Sequence, residues 1–451
     1  MNLLTKKYNI SLKLQFIEKI LYFVVIITSF FGSAFLSIDL GPFALFPFRI
    51  FIIILWLFFL LGSFLLPNSC LNIKNVKNEL VFYLFWLLYA IISMQWAFSK
   101  TDAVRNIIFL FFGFSLIFLS VKYIIDISLL KKFYIIWFIV YLIMILIGYW
   151  EHLTGNHLSI SIYNHNTLAK DFSYVKNVWD LRCPTGVFRN PNDYATFLVL
   201  SFPFSLGYLK YSKLLLIRIL SLICIISSFY FLIISSSRAN IIALFVEISF
   251  FWLFLSNLKQ KIKIISIVVI TFLTVVSIFP DLITIFTDIG DQFSLLSNFF
   301  DDNSLDSSGK RRNLTKNCLN FVYRTWGFGV GAGNAEYWIA NFSVFNTDGI
   351  LNPHNWWIEI MTNYGIFIFA GYVFCYFCII YSIYTSRKET YDKEIRIISD
   401  ALLTSLIGFP IASVSSSSVI ALQPQWLLFA FAVAFVNLRG CIIGSGNAKF
   451  K

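Results

Sequence analysis

LNPHNWWIEIMTNYGIFIFAGYVFCYFCIIYSIY, residues 351–384, decides the class of this chain. Four of its first five positions, Asn352 to Asn355, are polar or helix-breaking and include His354. From Trp356 onward it is an apolar run with a single carboxylate, Glu359, near its start. About 20 apolar residues cross a bilayer as a helix, so 356–384 is longer than a straight crossing needs and is expected to tilt or to project. Such runs recur from end to end. Hydrophobic residues make up 58% of the 451 positions and charged residues 13%, about half the share expected of a soluble domain. Mean hydropathy is +0.77.

The expected fold is an all-α polytopic membrane protein of about twelve spans, forming a single integral membrane domain over 1–451. The spans fall near 17–38, 43–66, 79–97, 103–121, 132–150, 191–209, 213–233, 238–256, 262–280, 356–384, 397–414 and 422–440. No A-x-A-like cleavage site follows the first run, which therefore reads as a helix and not as a signal peptide.

Charge orients the bundle. With the N-terminus inside, the inner segments carry Lys6, Lys7, Lys74, Lys77, Lys122, Lys131, Lys210, Lys259, Lys261, Arg387, Lys388, Lys393, Arg396 and Arg439. Short outer connections are nearly free of basic residues, Lys100 being the main exception. The net charge of +12 is thus mostly topology, and nucleic-acid binding is excluded.

Two long polar segments then lie outside, 151–192 and 281–355. The first carries Lys170, Lys176, Arg182 and Arg189, and the second Lys310, Arg311, Arg312, Lys316 and Arg324. Two readings fit these cations. One is an anionic ligand such as a lipid phosphate or diphosphate, which the arginine fork suits. The other is loop solubility, helped by eight acidic residues in the second segment.

Local patterns sharpen the first reading. Arg189-Asn190-Pro191-Asn192 leads into the sixth span, where Asn192-Asp193 can cap the helix. Arg238 closes a very short serine-rich outer connection, where snorkelling and diphosphate anchoring are both open. Gly327, Gly329, Gly331 and Gly333 precede Asn334 and read either as a flexible loop or as a platform for a sugar. His354, at the mouth of the tenth span, has the pKa range of a general base. Asn355 lies four positions before Glu359 on one helix face.

The seven cysteines suggest no disulfide framework. Cys375 and Cys378 read as packing residues, while a Cys183–Cys318 pairing between the outer loops is left open. His152, His157 and His165 are irregularly spaced, and no metal or cofactor is expected.

Taken together, these motifs resemble the O-antigen ligase and Wzy-type polymerase superfamily. The matching residues are Phe188–Asn192, Ser237-Arg238, the Ser-Gly-Arg-like stretch around Arg311, Gly329–Asn334 and His354-Asn355-x9-Gly365. The chain departs from the family at Ile368, where a second glycine is usual, and Arg311 and Arg312 compete for one family arginine. The resemblance implies a GT-C-like, metal-independent, inverting glycosyltransferase at the outer face of the bacterial inner membrane. Its substrate would be a glycan on undecaprenyl diphosphate. His354 would act as base and Arg238 and Arg311 as catalytic clamps. Arg182, Arg189, Arg312, Asn192, Asn334 and Asn355 would bind substrate, with Trp326, Trp338, Trp356 and Trp357 near the sugars. Other expected partners are membrane lipid and the flippase and chain-length regulator of the same pathway.

The resemblance leaves polymerase and ligase side by side, and we favour a polymerase because nothing marks a lipid A core site. A flippase for the lipid-linked glycan is the alternative from another class. It would need central charges and internal repeats, but Glu247 is the clearest central charge and no repeat is visible.

Overall fold

A computed structural model describes residues 2–34, 36–40, 43–65, 72–164, 180–257, 307–416 and 419–439. The predicted span 262–280, the segment 281–306 and His165 lie outside the described residues. The helices are α1 (Asn2–Phe31), α2 (Pro47–Leu65), α3 (Lys77–Ser93), α4 (Lys100–Tyr123), α5 (Ile127–Thr154), α6 (Pro191–Tyr211), α7 (Leu215–Ile234) and α8 (Arg238–Leu255). They continue with α9 (Ser307–Arg324), α10 (Ala335–Phe342), α11 (Trp356–Glu389), α12 (Lys393–Ala412) and α13 (Gln423–Asn437). One short antiparallel hairpin, β1 (Ile38–Leu40) with β2 (Phe43–Leu45), joins α1 to α2.

The chain is an all-α polytopic membrane protein. Seven of the described helices are long and apolar enough to cross a bilayer on their own: α1, α4, α5, α7, α8, α11 and α12. The other predicted spans within the described residues also fold as helices: α2, α3, α6 and α13. Helix α13 is buried from Pro424 to Asn437, and α6 from Asp193 to Gly207. Both pass through protein rather than lipid, so their sequences are apolar on every face. By contrast, α3 and α7 expose Leu84, Leu88, Leu216 and Ile226, as lipid-facing helices do.

The ends of the bundle are chemically distinct. At one end, buried Asp400 of α12 accepts from Lys210 of α6 (3.0 Å) and Tyr211 (2.7 Å), and pairs with Arg387 of α11. Lys210 and Arg387 also donate to the Leu255 carbonyl at the end of α8, at 2.6 and 2.8 Å. Breaking a buried ion pair from one side typically costs about 3–5 kcal/mol. At the other end lie the first residues of α6, α8 and α11 and the last of α12. The cations expected inside and those expected outside therefore sit at opposite ends of the same helices.

Helix α11 explains its own length. It is two helical segments joined at Gly365, whose backbone is left-handed and extended (φ 82°, ψ 179°). The break orphans carbonyls at membrane depth, which costs several kcal/mol per group if unpaired. The glycine run supplies the partners. Val330 N–H donates to Thr362 O (2.8 Å) and Gly331 N–H to Asn363 O (3.0 Å), while Gly327 O accepts from Ile366 N–H (2.9 Å). Neither a flexible loop nor a sugar platform describes this run; it is the backbone plug of a broken helix. A Cβ on Gly329 would collide with Gly365 N and Asn363 O. Gly329→Ala is therefore expected to destabilise the solubilised protein by about 2–3 kcal/mol in thermal unfolding. An unchanged midpoint would show that the two backbones can separate freely.

Candidate functional site

The site is built around a turn that follows α12, Ser413-Val414-Ser415-Ser416. Trp356 N–H donates to Ser413 O (3.2 Å), and Trp357 Nε1 donates to Ser413 Oγ (3.1 Å) and Pro410 O (3.1 Å). Those bonds dock the start of α11. Ser237 and Ser415 hydroxyls share a hydrogen bond (2.7 Å) that docks the start of α8. Ser415 Oγ also donates to Asn192 Oδ1 (3.2 Å), and Ser416 Oγ to Asp193, which docks the start of α6. Arg311 Nη1 of α9 donates to Val414 O (3.3 Å).

His354 enters this frame strained. Its backbone is left-handed (φ 51°), and its N–H is accepted by Asn352 Oδ1 at 2.8 Å. A non-glycine residue in that region costs about 1–2 kcal/mol, so the surroundings hold it there. The imidazole is pushed below its ordinary pKa, first by burial and then by the Arg311 charge, while the Ser416 backbone pulls the other way. Its Nδ1 is buried and has no hydrogen-bond partner among the described residues. A depressed pKa keeps the ring neutral at pH 7, the form in which a nitrogen lone pair can take a proton.

Arg311 is itself disfavoured as a cation by burial and by Arg238. Arg238 is the exposed first residue of α8, and its N-cap, Ser237, makes no side-chain capping bond. The helix start thus adds unsatisfied N–H groups and a partial positive charge. Arg311 consequently lies within electrostatic range of two other predicted residues, His354 and Arg238. Two guanidinium groups that repel each other beside a helix N-terminus make a field suited to an anion.

The remaining predicted residues divide. Asn192 joins the turn through Ser415. Asn355 caps α11, accepting from Trp357 N–H (3.1 Å) and Ile358 N–H (3.3 Å). Arg312 follows Arg311 about 100° further round α9, and Lys310 is paired with Asp348 (2.6 Å). Within the basic trio, Arg311 bonds the turn directly. Arg182 and Arg189 are exposed on the segment between α5 and α6; the Arg182 carbonyl bonds His152 (2.8 Å) and the Arg189 carbonyl accepts from Ile162 N–H (2.9 Å).

Several expectations need correcting. Asn334 is buried and engaged with the start of α4: Oδ1 accepts from Ser99 N–H (2.7 Å), and Nδ2 donates to Ser99 O (3.1 Å) and Ala332 O (2.8 Å). Both donors are used within the protein. Trp356 and Trp357 are committed to packing and to the turn, and Trp338 packs on Phe321; Trp326 alone of the four is broadly exposed, at 89%. The cap of α6 is Asn190, whose Oδ1 accepts from Asp193 N–H (3.0 Å), and not Asn192-Asp193. Cys183 and Cys318 are separate buried thiols. His152 and His157 pin the segment between α5 and α6, His157 to Leu181 O at 2.8 Å. Among the described residues no group of His, Cys, Asp or Glu side chains is arranged to hold a metal ion.

Sequence reasoning missed Asp193 and the serine turn itself. The signal was present as six residues, Ser413 to Ser418, five of them serine, between the apolar runs 397–412 and 419–436.

A multi-pass helical membrane protein with a buried imidazole and clustered guanidinium groups at one end of its bundle is the class this geometry defines. A family model described as Wzy_C, O-antigen ligase, matches residues 220–373. The teichuronic acid biosynthesis protein TuaE of Bacillus subtilis (strain 168) is 30% identical over 422 residues, covering 92% of this chain and 83% of that protein. The chain belongs to the O-antigen ligase family, and with it to envelope-polysaccharide biosynthesis of the ligase or polymerase type.

Two predictions follow from the geometry. Activity should fall on acidification below about pH 6.5 as His354 gains its proton. In Arg311→Gln the repelling charge is gone, so the His354 pKa rises and the acidic limb of the residual activity moves to higher pH. A limb that stays in place would dissociate Arg311 from His354. Asp193→Asn, which weakens the hold on Ser416, should lower turnover about tenfold with little change in thermal stability, as seen in initial rates.

Proposed function

We propose that this protein is a membrane glycosyltransferase that polymerises repeat units carried on undecaprenyl diphosphate, at the outer face of the bacterial plasma membrane. The observation that carries the reading is the convergence of His354, Arg311 and Arg238 around the Ser413–Ser416 turn. About twelve spans and two outer loops, 151–192 and 281–355, belong to the same proposal.

In this reading the acceptor hydroxyl oxygen attacks the anomeric carbon of the donor sugar from the face opposite the diphosphate, which inverts its configuration. The bond from that carbon to the diphosphate oxygen breaks, and its electron pair leaves on the diphosphate. The hydroxyl proton passes to His354 Nδ1. Arg311, Arg238 and the first N–H groups of α8 stabilise the charge that grows on the leaving group, the kind of interaction whose loss costs about 10²–10³ in rate. Arg312, Arg189 and Arg182 extend the basic surface, and Asn192 and Asn355 hold the frame. The diphosphate is already an activated leaving group, so the reaction draws on no nucleotide outside the cell.

The printed name of TuaE refers to teichuronic acid biosynthesis, which fits a transferase of either type in envelope-polysaccharide assembly. The family model's own description favours transfer to a terminal acceptor as the second reading. The flippase and the chain-length regulator are the expected partners of a polymerase. One assay separates the possibilities. Purified protein given only an undecaprenyl-diphosphate-linked repeat unit should produce a ladder of longer glycans, and His354→Ala should abolish it. Transfer only after a lipid A core or another terminal acceptor is added would make it a ligase. Passage of lipid-linked glycan across vesicles without transfer would make it a flippase.

A further inference from the structure

A second basic pocket lies on the far side of the connection that carries the serine turn. It is a cavity of about 260 Å³ whose polar lining is Arg49, Arg105, Ser33 and Gln423. Arg49 is 4% exposed, is clasped by Phe46, Phe109 and Phe112 at 4.8–5.4 Å, and donates from Nη1 to Ala44 O (2.6 Å). Such aromatic clasping fixes the guanidinium in one place. Arg105 is half exposed and faces Asp102 only at 3.8 Å, a surface pair of little strength. Every polar side chain of this lining can donate a hydrogen bond, and among the described residues no acidic side chain lines the cavity.

The pocket does not stand alone. Ile108 belongs both to it and to an adjoining wholly apolar groove of about 350 Å³ between α3 and α4, walled by Leu87, Ile91, Ile107 and Phe111. Ile91 and Phe111 are 47% and 41% exposed on the outside of the bundle, so the groove opens where lipid chains would lie. A donor-lined head cavity that shares the Ile108 wall with a lipid-facing apolar groove fits an amphiphile with an anionic head. Two arginines on one head cavity match the charge of a diphosphate better than that of a phosphodiester.

Position supplies the rest. Gln423 lies seven residues beyond Ser416 (423 − 416 = 7), and seven residues span at most about 25 Å. Arg49 and Arg105 also stand at the starts of α2 and α4, the ends predicted to face outward. We infer that this pocket holds the second lipid substrate, the polyprenyl diphosphate that carries the acceptor glycan, while the His354 cluster holds the donor. The inference rests on the transferase reading above and adds a place for the acceptor carrier.

The test uses the full chain in nanodiscs of neutral phosphatidylcholine, with native mass spectrometry counting bound undecaprenyl diphosphate. Wild type is expected to bind two equivalents. Arg105→Glu, at an exposed position, should weaken one of them at least tenfold, and so should Gln423→Glu, with unchanged thermal unfolding. Arg311→Gln should weaken the other. Ladder formation by Arg105→Glu should show a raised requirement for acceptor lipid at unchanged donor requirement. One equivalent in wild type, or two in both pocket variants, would overturn the acceptor site. Displacement of the Arg105-dependent equivalent by phosphatidylglycerol at equal concentration would also overturn it, marking the pocket as an ordinary phospholipid site. Unchanged lipid binding in Arg311→Gln would instead count against the donor reading and leave the pocket standing.

Discussion

Hydrogen bonding by the Ser413–Ser416 turn is the constraint on which the functional end of this protein depends. A turn at the end of one helix holds the starts of α6, α8 and α11 and the Arg311 side chain of α9. At the opposite end, Asp400 gathers Lys210, Arg387 and, through their bonds to Leu255 O, the end of α8. The same helices are therefore fixed at both tips by polar contacts, with apolar packing between. In a bilayer, where helix association gains little from hydrophobicity, such polar pins set which helices meet.

The pins have an electrostatic consequence. They hold Arg311 half-buried beside Arg238 and His354, so charges of one sign are concentrated at this end of the described bundle. Such an arrangement is unfavourable when empty and favourable with an anion bound. It also lowers the proton affinity of His354 until a negative group arrives. Under the proposed transferase reading, an arriving diphosphate would raise that affinity, so donor binding and the proton affinity of His354 would be coupled by simple charge.

Much of this was legible in the sequence because the bilayer imposes local rules. Apolar runs marked the helices, cation asymmetry marked their two ends, and His354 before the Trp356 start of α11 drew attention to the place where Arg311 and Ser416 act on it. What was illegible is non-local. Nothing in the spacing of Ser413–Ser416 indicates that it meets residues 192, 237, 311 and 357, because those contacts join distant parts of the chain. Asn334 and the tryptophans were misread for a related reason: an interfacial polar or aromatic residue looks the same in sequence whether it faces a sugar or the neighbouring helix. The glycine run was recognised as a place of close approach, but its partner, the break at Gly365, was not.

The central claim is that Arg311, Arg238 and His354 form one diphosphate-binding catalytic centre. An electron cryo-microscopy map of the His354→Ala protein with an undecaprenyl-diphosphate-linked repeat unit tests it directly. The account predicts density for the diphosphate between Arg238 and Arg311, with the anomeric carbon turned toward position 354. A diphosphate bound elsewhere, with these arginines facing away from it, would contradict the account.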